Sequence, residues 1–157
     1  MSTAIKSIVY RGGIVAFKIP VTWREEYEPD GGATFYEDGA DSGTLRLNVL
    51  SFERKSGGAR NSADDFPEIL KSGARLRHYR KEAEERGTLI YLYCWEILVE
   101  VPPDRCRLVC FSHTVLASSV ESAATQEELR IVDSLVRDAE YSTLAGQKAA
   151  PWWKFWR

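Results

Sequence analysis

The sequence predicts an α+β fold, a three-layer α/β/α sandwich with a mainly antiparallel sheet and the order β-β-β-β-α-β-β-β-α. Two long segments, 88–101 and 105–117, are apolar on both faces, which is typical of central strands covered on both sides. Short turns between consecutive strands favour antiparallel pairing. One helical pattern before these strands and one after them would supply a cover for each face.

Seven segments carry strand patterns, and turn residues separate them. Pro20 ends the second segment, and Asp38-Gly39 and Arg86-Gly87 are typical of turns. In the fourth segment Leu45 and Leu47 share one face while Leu50 lies on the other. The predicted strands are 4–10, 14–19, 33–37, 44–53, 75–85, 88–101 and 105–117.

A first helix is predicted from about Ser62 or Asp64 to Gly73. Acidic residues near its start suit the positive end of the helix dipole. Pro67 is tolerated only in a first turn, which favours the later start. Phe66, Ile69 and Leu70 share one helical face, so that face is expected to be buried.

A second helix is predicted over residues 126–139. Thr125 and Glu128 have the spacing of a capping box at its start. Its expected buried stripe consists of Leu129, Val132, Leu135, Val136 and Ala139.

Length and composition predict one soluble globular domain over residues 4–141, followed by a linker and aromatic tail over 142–157. The chain has 157 residues, is 44% hydrophobic and 28% charged, and has a formal net charge of −2. This charge gives no global basic field for nucleic acid. We find no secretory signal, and the three cysteines are an odd count, so we expect a reducing, cytoplasmic setting.

Catalytic and metal-binding patterns are weak in this sequence. His113 could act as a base for Cys110 or Ser112, but no G-x-S-x-G motif frames the serine. Cys94 could approach Cys110 across the sheet, yet two thiols without a nearby histidine make a poor zinc site. We therefore expect no catalytic residue, metal or cofactor, and keep a hydrolase as an alternative.

One candidate partner-binding surface is an acidic stretch over residues 21–43. It contains seven acids and one base, Arg24. A basic partner could recognise such a surface, although a solvated loop would have the same composition. The candidate contact residues are Glu25, Glu26, Glu28, Asp30, Asp38 and Asp41.

The second candidate surface is the aromatic tail. Four aromatic residues, Trp152, Trp153, Phe155 and Trp156, stand with Lys154 and Arg157 in the last six positions. Such a segment suits a pocket on a protein partner or a membrane interface. It could equally cover an apolar groove on its own domain.

The opening of the chain resembles the PsbP-like superfamily, which includes bacterial DcrB-type proteins and chaperones associated with type VI secretion effectors. The resemblance rests on Val15-Ala16-Phe17-Lys18-Ile19-Pro20 followed by Trp23, and the general pattern extends from about residue 14 to 141. It implies an α/β/α sandwich used for binding rather than catalysis.

The sequence thus favours a non-catalytic, protein-binding adaptor or chaperone of bacterial type. A peripheral membrane protein anchored by its tail is the main alternative.

Overall fold

The computed structural model describes residues 4–39, 42–53 and 65–144, which form ten strands and one α-helix. The strands are β1 (Ile5–Tyr10), β2 (Val15–Pro20), β3 (Trp23–Tyr27), β4 (Ala33–Glu37), β5 (Thr44–Glu53), β6 (Glu68–Ile69), β7 (Arg75–Glu85), β8 (Thr88–Val101), β9 (Arg105–Leu116) and β10 (Glu140–Tyr141). The helix α1 spans Ala123–Asp138.

Seven strands form a large antiparallel sheet in the order β3-β4-β5-β9-β8-β7-β6. Its centre is β9, which pairs with β5 on one side and with β8 on the other. The remaining strands form a small antiparallel sheet, β1-β2-β10. The strands predicted from alternation lie within one residue of the observed ones, and β3, β6 and β10 were not predicted.

The small sheet and α1 together cover one face of the large sheet, which we call the inner face. Phe17 of β2 packs edge-on against Phe35 and Phe111 of the large sheet, with ring centres 5.3 and 5.5 Å apart. The indole N–H of Trp95 on β8 donates to Asp133 of α1 across 3.0 Å. The main hydrophobic core therefore lies between these two layers.

The prediction of a helix ending at Gly73 is wrong over residues 65–73, the part of that segment which the structure describes. Glu68 and Ile69 form a short strand on β7, and Gly73 makes a turn with a φ of +89°. Phe66 and Leu70 are buried in different clusters, whereas Ile69 is 67% exposed. The helical spacing of Phe66, Ile69 and Leu70 therefore does not reflect a single buried face. Residues 62–64 lie outside the described residues.

The second predicted helix exists but begins earlier than expected. Ser122, not Thr125, is the N-cap residue, and its hydroxyl accepts the N–H of Thr125 across 3.1 Å. Thr125 is buried inside the first turn. Glu128 consequently lies too far along the helix to complete a capping box, and its carboxylate points to the large sheet instead.

The three-layer sandwich, which the resemblance also implied, is therefore wrong. In the described part of the chain the opposite face of the large sheet, the outer face, has no helix on it. Its cover there is a small cluster in which Phe66, Leu98 and Cys106 are buried against Phe52 and Leu108. The described residues thus form a two-layer, mostly β fold.

Candidate functional site

The residues of the hydrolase alternative lie on opposite faces of β9. His113 points to the inner face and is fully buried, whereas Cys110 and Ser112 are half-buried on the outer face. Side chains three positions apart on a strand cannot form a dyad. His113 and Cys110 therefore do not form the proposed base and nucleophile pair.

His113 instead belongs to a contact between α1 and the large sheet. Its Nε2 lies 2.8 Å from Oε1 of Glu128, although its N–H is not aligned to donate a hydrogen bond there. The same oxygen accepts the backbone N–H of Gly43 across 2.7 Å. A Cβ atom at Gly43 would stand 2.5 Å from His113 Nε2, so the three residues leave no room for a substrate.

A second polar cluster, the Glu96 cluster, lies on the outer face. The carboxylate of Glu96 is 3.0 Å from the guanidinium of Arg77 and accepts a hydrogen bond from the hydroxyl of Tyr79. Arg77 also stacks over the ring of Phe66 at 4.6 Å. Burial and the bond to Glu96 raise the pKa of Tyr79, so its hydroxyl remains a donor at neutral pH. The cluster joins β7 to β8, although the buried Nε of Arg77 has no hydrogen-bond partner among the described residues.

The cysteines beside this cluster are poor nucleophiles. Burial raises the pKa of Cys94, and it raises the pKa of Cys110 to about 11. The thiolate is the reactive form of cysteine, so only a small fraction of either thiol is reactive at neutral pH. Within residues 4–39, 42–53 and 65–144, no three His, Cys, Asp or Glu side chains are placed to share a metal ion.

The predicted acidic surface forms a hairpin of β3 and β4 at one edge of the large sheet. Glu25 pairs with Lys6 across 2.9 Å and accepts the hydroxyl of Tyr27, and these two bonds lower its pKa. Glu26 accepts the hydroxyl of Tyr36 across 2.7 Å. These carboxylates hold the hairpin together, so they are less available to a partner than the sequence indicated.

The remaining acidic candidates have mixed positions. Asp38 pairs with Arg24, and Asp30 accepts the backbone N–H of Gly32 across 3.1 Å. Glu28 is exposed at the turn. Asp41 and the aromatic tail residues Trp152, Trp153, Phe155 and Trp156 lie outside the described residues.

An apolar row on the outer face was not predicted as a site. The strand register places Leu50, Leu108 and Leu98 side by side on β5, β9 and β8. Leu98 is buried under Phe66, Leu108 is half-buried, and Leu50 is 58% exposed. The row therefore runs from a covered end to an open end. Each leucine lies on a different strand, so the sequence of one strand does not reveal the row. Only the register between the three strands does.

Comparisons with known proteins identify a fold but no family. No protein-family model matches the chain, and no curated protein matches it. A 1.50 Å crystal structure from Bacteroides thetaiotaomicron VPI-5482 matches with a TM-score of 0.61 and 16% identity over 87% of this chain and 48% of that chain. The chain thus spans about half the length of that protein.

A second solved structure is LpqN of Mycobacterium tuberculosis, which is involved in cell envelope biogenesis. It matches with a TM-score of 0.57 and 8% identity, over 83% of this chain and 88% of that chain. At such identities the likeness concerns the fold alone. No helix in the described ranges has the length and apolar character required to cross a bilayer.

Replacing Gly43 by Ala should destabilise the protein, because the added methyl group would collide with His113, Glu128 and the Thr114 carbonyl. We expect a loss of about 1–3 kcal/mol in the free energy of unfolding, measured by urea denaturation. Gly39→Ala is the matched control, since its added Cβ would lie 3.5 Å from the nearest side chain. Equal stability of the two variants would contradict the close packing around Gly43.

Cys110 should react slowly with iodoacetamide in the folded protein at pH 8. With its pKa at about 11, its thiolate fraction is roughly one-hundredth of that of an ordinary cysteine. Brief alkylation followed by peptide mass spectrometry measures the rate, with the urea-unfolded chain as reference. A faster reaction in the folded protein would restore Cys110 as a candidate nucleophile.

Proposed function

We propose that this chain is a non-catalytic, protein-binding domain of the adaptor or chaperone type, and that its partner contacts the outer face at the apolar row. The observation that carries the proposal is the exposure of Leu50 at the open end of that row. An apolar row that continues from a buried cluster to the surface offers a partner an existing hydrophobic edge.

Burial of this edge would stabilise a complex through the hydrophobic effect. Removing apolar surface from water contributes about 25 cal/mol per Å². Leu50 and Leu108 are already held by the strand pairing of β5 with β9, so little conformational entropy is lost when a partner covers them. A preformed surface of this kind suits binding without rearrangement of the domain.

The groups that sequence analysis singled out for chemistry also favour binding over catalysis. His113 is enclosed between β9 and α1, and Cys110 lies on the opposite face of β9, where burial raises its pKa. The three cysteines are free thiols, which fits the reducing, cytoplasmic setting that we also propose. Membership of the PsbP-like superfamily remains part of the same proposal.

Leu50→Asp should weaken partner binding, because it places a charge in the apolar row. The measurement is quantitative recovery of a partner by the tagged, full-length protein from cells that express it. We expect at least a tenfold loss, since a hot-spot residue accounts for more than about 1.4 kcal/mol of binding energy.

Val9→Asp is the matched control for Leu50→Asp. Val9 is 65% exposed but lies on the small sheet, away from the outer face. The amount of partner recovered by Val9→Asp should equal the amount recovered by the wild type. Both variants should keep the wild-type melting temperature. Equal recovery for all three proteins, or a partner bound by none of them, would contradict the proposed surface.

The aromatic tail can be tested separately with a chain that ends at Ala150. If the tail contacts the same partner, recovery should fall relative to the full chain while the far-ultraviolet circular dichroism spectrum keeps its β-rich form. Aromatic anchors are enriched among the residues that dominate binding energy. Unchanged recovery would exclude the tail from this complex and leave the apolar row as the proposed contact.

A further inference from the structure

One long edge of the large sheet has free backbone groups. β6 pairs with β7 only at Leu76 and Arg75, through Glu68 and Ile69. The rest of β7, the nine residues 77–85, has no strand beside it on that side within the described part of the chain. An unpaired edge of this length is able to accept another strand. We call residues 77–85 the free edge.

Charges along the free edge are separated by sign. The first half carries Arg77, His78, Arg80 and Lys81, and the second half carries Glu82, Glu84 and Glu85. Arg80, Lys81 and all three glutamates are exposed. An antiparallel copy of the same strand would place the basic half of each chain opposite the acidic half of the other.

We propose that the free edge binds a second copy of this chain through antiparallel pairing of the two β7 strands across a two-fold axis at Lys81. Lys81 is the midpoint of residues 77–85, so the two free edges overlap along their whole length. The pairing places Arg80 opposite Glu82 of the second copy, which is the main attractive pair. His78, whose Nε2 lies 3.3 Å from Glu68 of its own chain, comes to lie opposite Glu84. Arg77, which already contacts Glu96, lies opposite Glu85, and each pair occurs twice because the interface is isologous.

Strand geometry and charge select this register over its neighbours. A two-fold axis perpendicular to the sheet preserves its faces, so the axis must pass through a residue and the register changes in steps of two. With the axis at Arg80, Glu84 would meet Leu76, which already pairs with β6. With the axis at Glu82, Lys81 would meet Ala83 and the two copies of Glu82 would face each other.

The chosen register has one unfavourable pair, the two copies of Lys81. In the monomer the ammonium group of Lys81 lies 5.4 Å from the ring centre of Tyr79 on its own strand. In that position the ammonium group of Lys81 lies along its own strand, away from the two-fold axis and from the second copy of Lys81. Charged edges normally prevent aggregation, and here the separation of signs leaves one register attractive.

The opposite edge of the large sheet lacks this pattern. On β3 the charged groups are already paired, since Arg24 pairs with Asp38 and Glu25 pairs with Lys6. On β7 Arg77 also contacts Glu96, and His78 Nε2 lies 3.3 Å from Glu68, so the difference between the two edges rests on Arg80 and the three glutamates. Arg80 has its guanidinium over the ring of Tyr91 at 4.4 Å and has no carboxylate bonded to it in the described ranges. The β7 edge is therefore the better candidate for an added strand. This proposal does not depend on the proposed partner at the apolar row.

The first test is site-specific cross-linking of the full chain with a short bis-maleimide. Two copies of a Lys81→Cys chain should give a covalent dimer, because residues at the axis face each other directly. Glu85→Cys is the matched control, since its two copies would lie about 26 Å apart along the strands. The wild type reports any cross-linking of the native cysteines. Equal cross-linking of both variants, or none in Lys81→Cys, would overturn the proposal.

The second test exchanges the charges of one pair. Arg80→Glu and Glu82→Arg each place like charges opposite each other, so each variant alone should dissociate at least tenfold more readily than the wild type in sedimentation velocity. An equimolar mixture restores two attractive pairs and should form a heterodimer. Lys18→Glu, an exposed charge reversal on β2, should leave the dimer unchanged.

Recovery of dimers only in the mixture, with an affinity that falls as salt is raised, supports antiparallel β7 pairing. A wild type that is monomeric at all concentrations would overturn the proposal, as would a wild-type dimer that neither single variant weakens.

Discussion

The pairing of β9 with both of its neighbours is the constraint on which the rest of the structure depends. Along its length β9 is bonded to β5 on one side and to β8 on the other. Because successive side chains alternate, this strand sends Val109, Phe111 and His113 into the core and Cys110 and Ser112 to the outer face. The separation of core from surface follows from that single register. Any shift by one residue would exchange the two sets.

Sequence patterns predicted the strands well because alternation is a local property. The bounds of β5, β7 and β8 agree with the predicted segments. In β5 and β8 this follows from runs of strand-forming residues, whereas the polar strand β7 is bounded by turns at Gly73 and at Arg86-Gly87. The helix ending at Gly73 failed because its apolar residues serve separate clusters. Pro67 lacks a backbone N–H and Gly73 is a poor helix former, and three apolar residues at helical spacing are too few to outweigh these two effects.

In the candidate site, too, some features were predictable from the sequence and others depended on the fold. Carboxylates of the β3–β4 hairpin were visible in the sequence, but their partners were not, since Lys6 and Tyr36 reach them only after folding. The apolar row needed the register of three strands. The placement of His113 and Cys110 on opposite faces follows from strand alternation alone, because the two residues are an odd number of positions apart.

The small sheet carries a consequence for how the protein is made. Its last strand, β10, pairs Glu140 with Ala16 and Tyr141 with Val15 of β2, so the two ends of the described chain meet in one sheet. Ribosomes deliver β2 early and β10 late. During synthesis the early strands must wait for nearly the whole domain to emerge, and contacts of such long sequence separation form slowly. The apolar side of β2 packs on Phe35 and Phe111, so in a nascent chain Phe17 would lack its full cover until β9 has emerged.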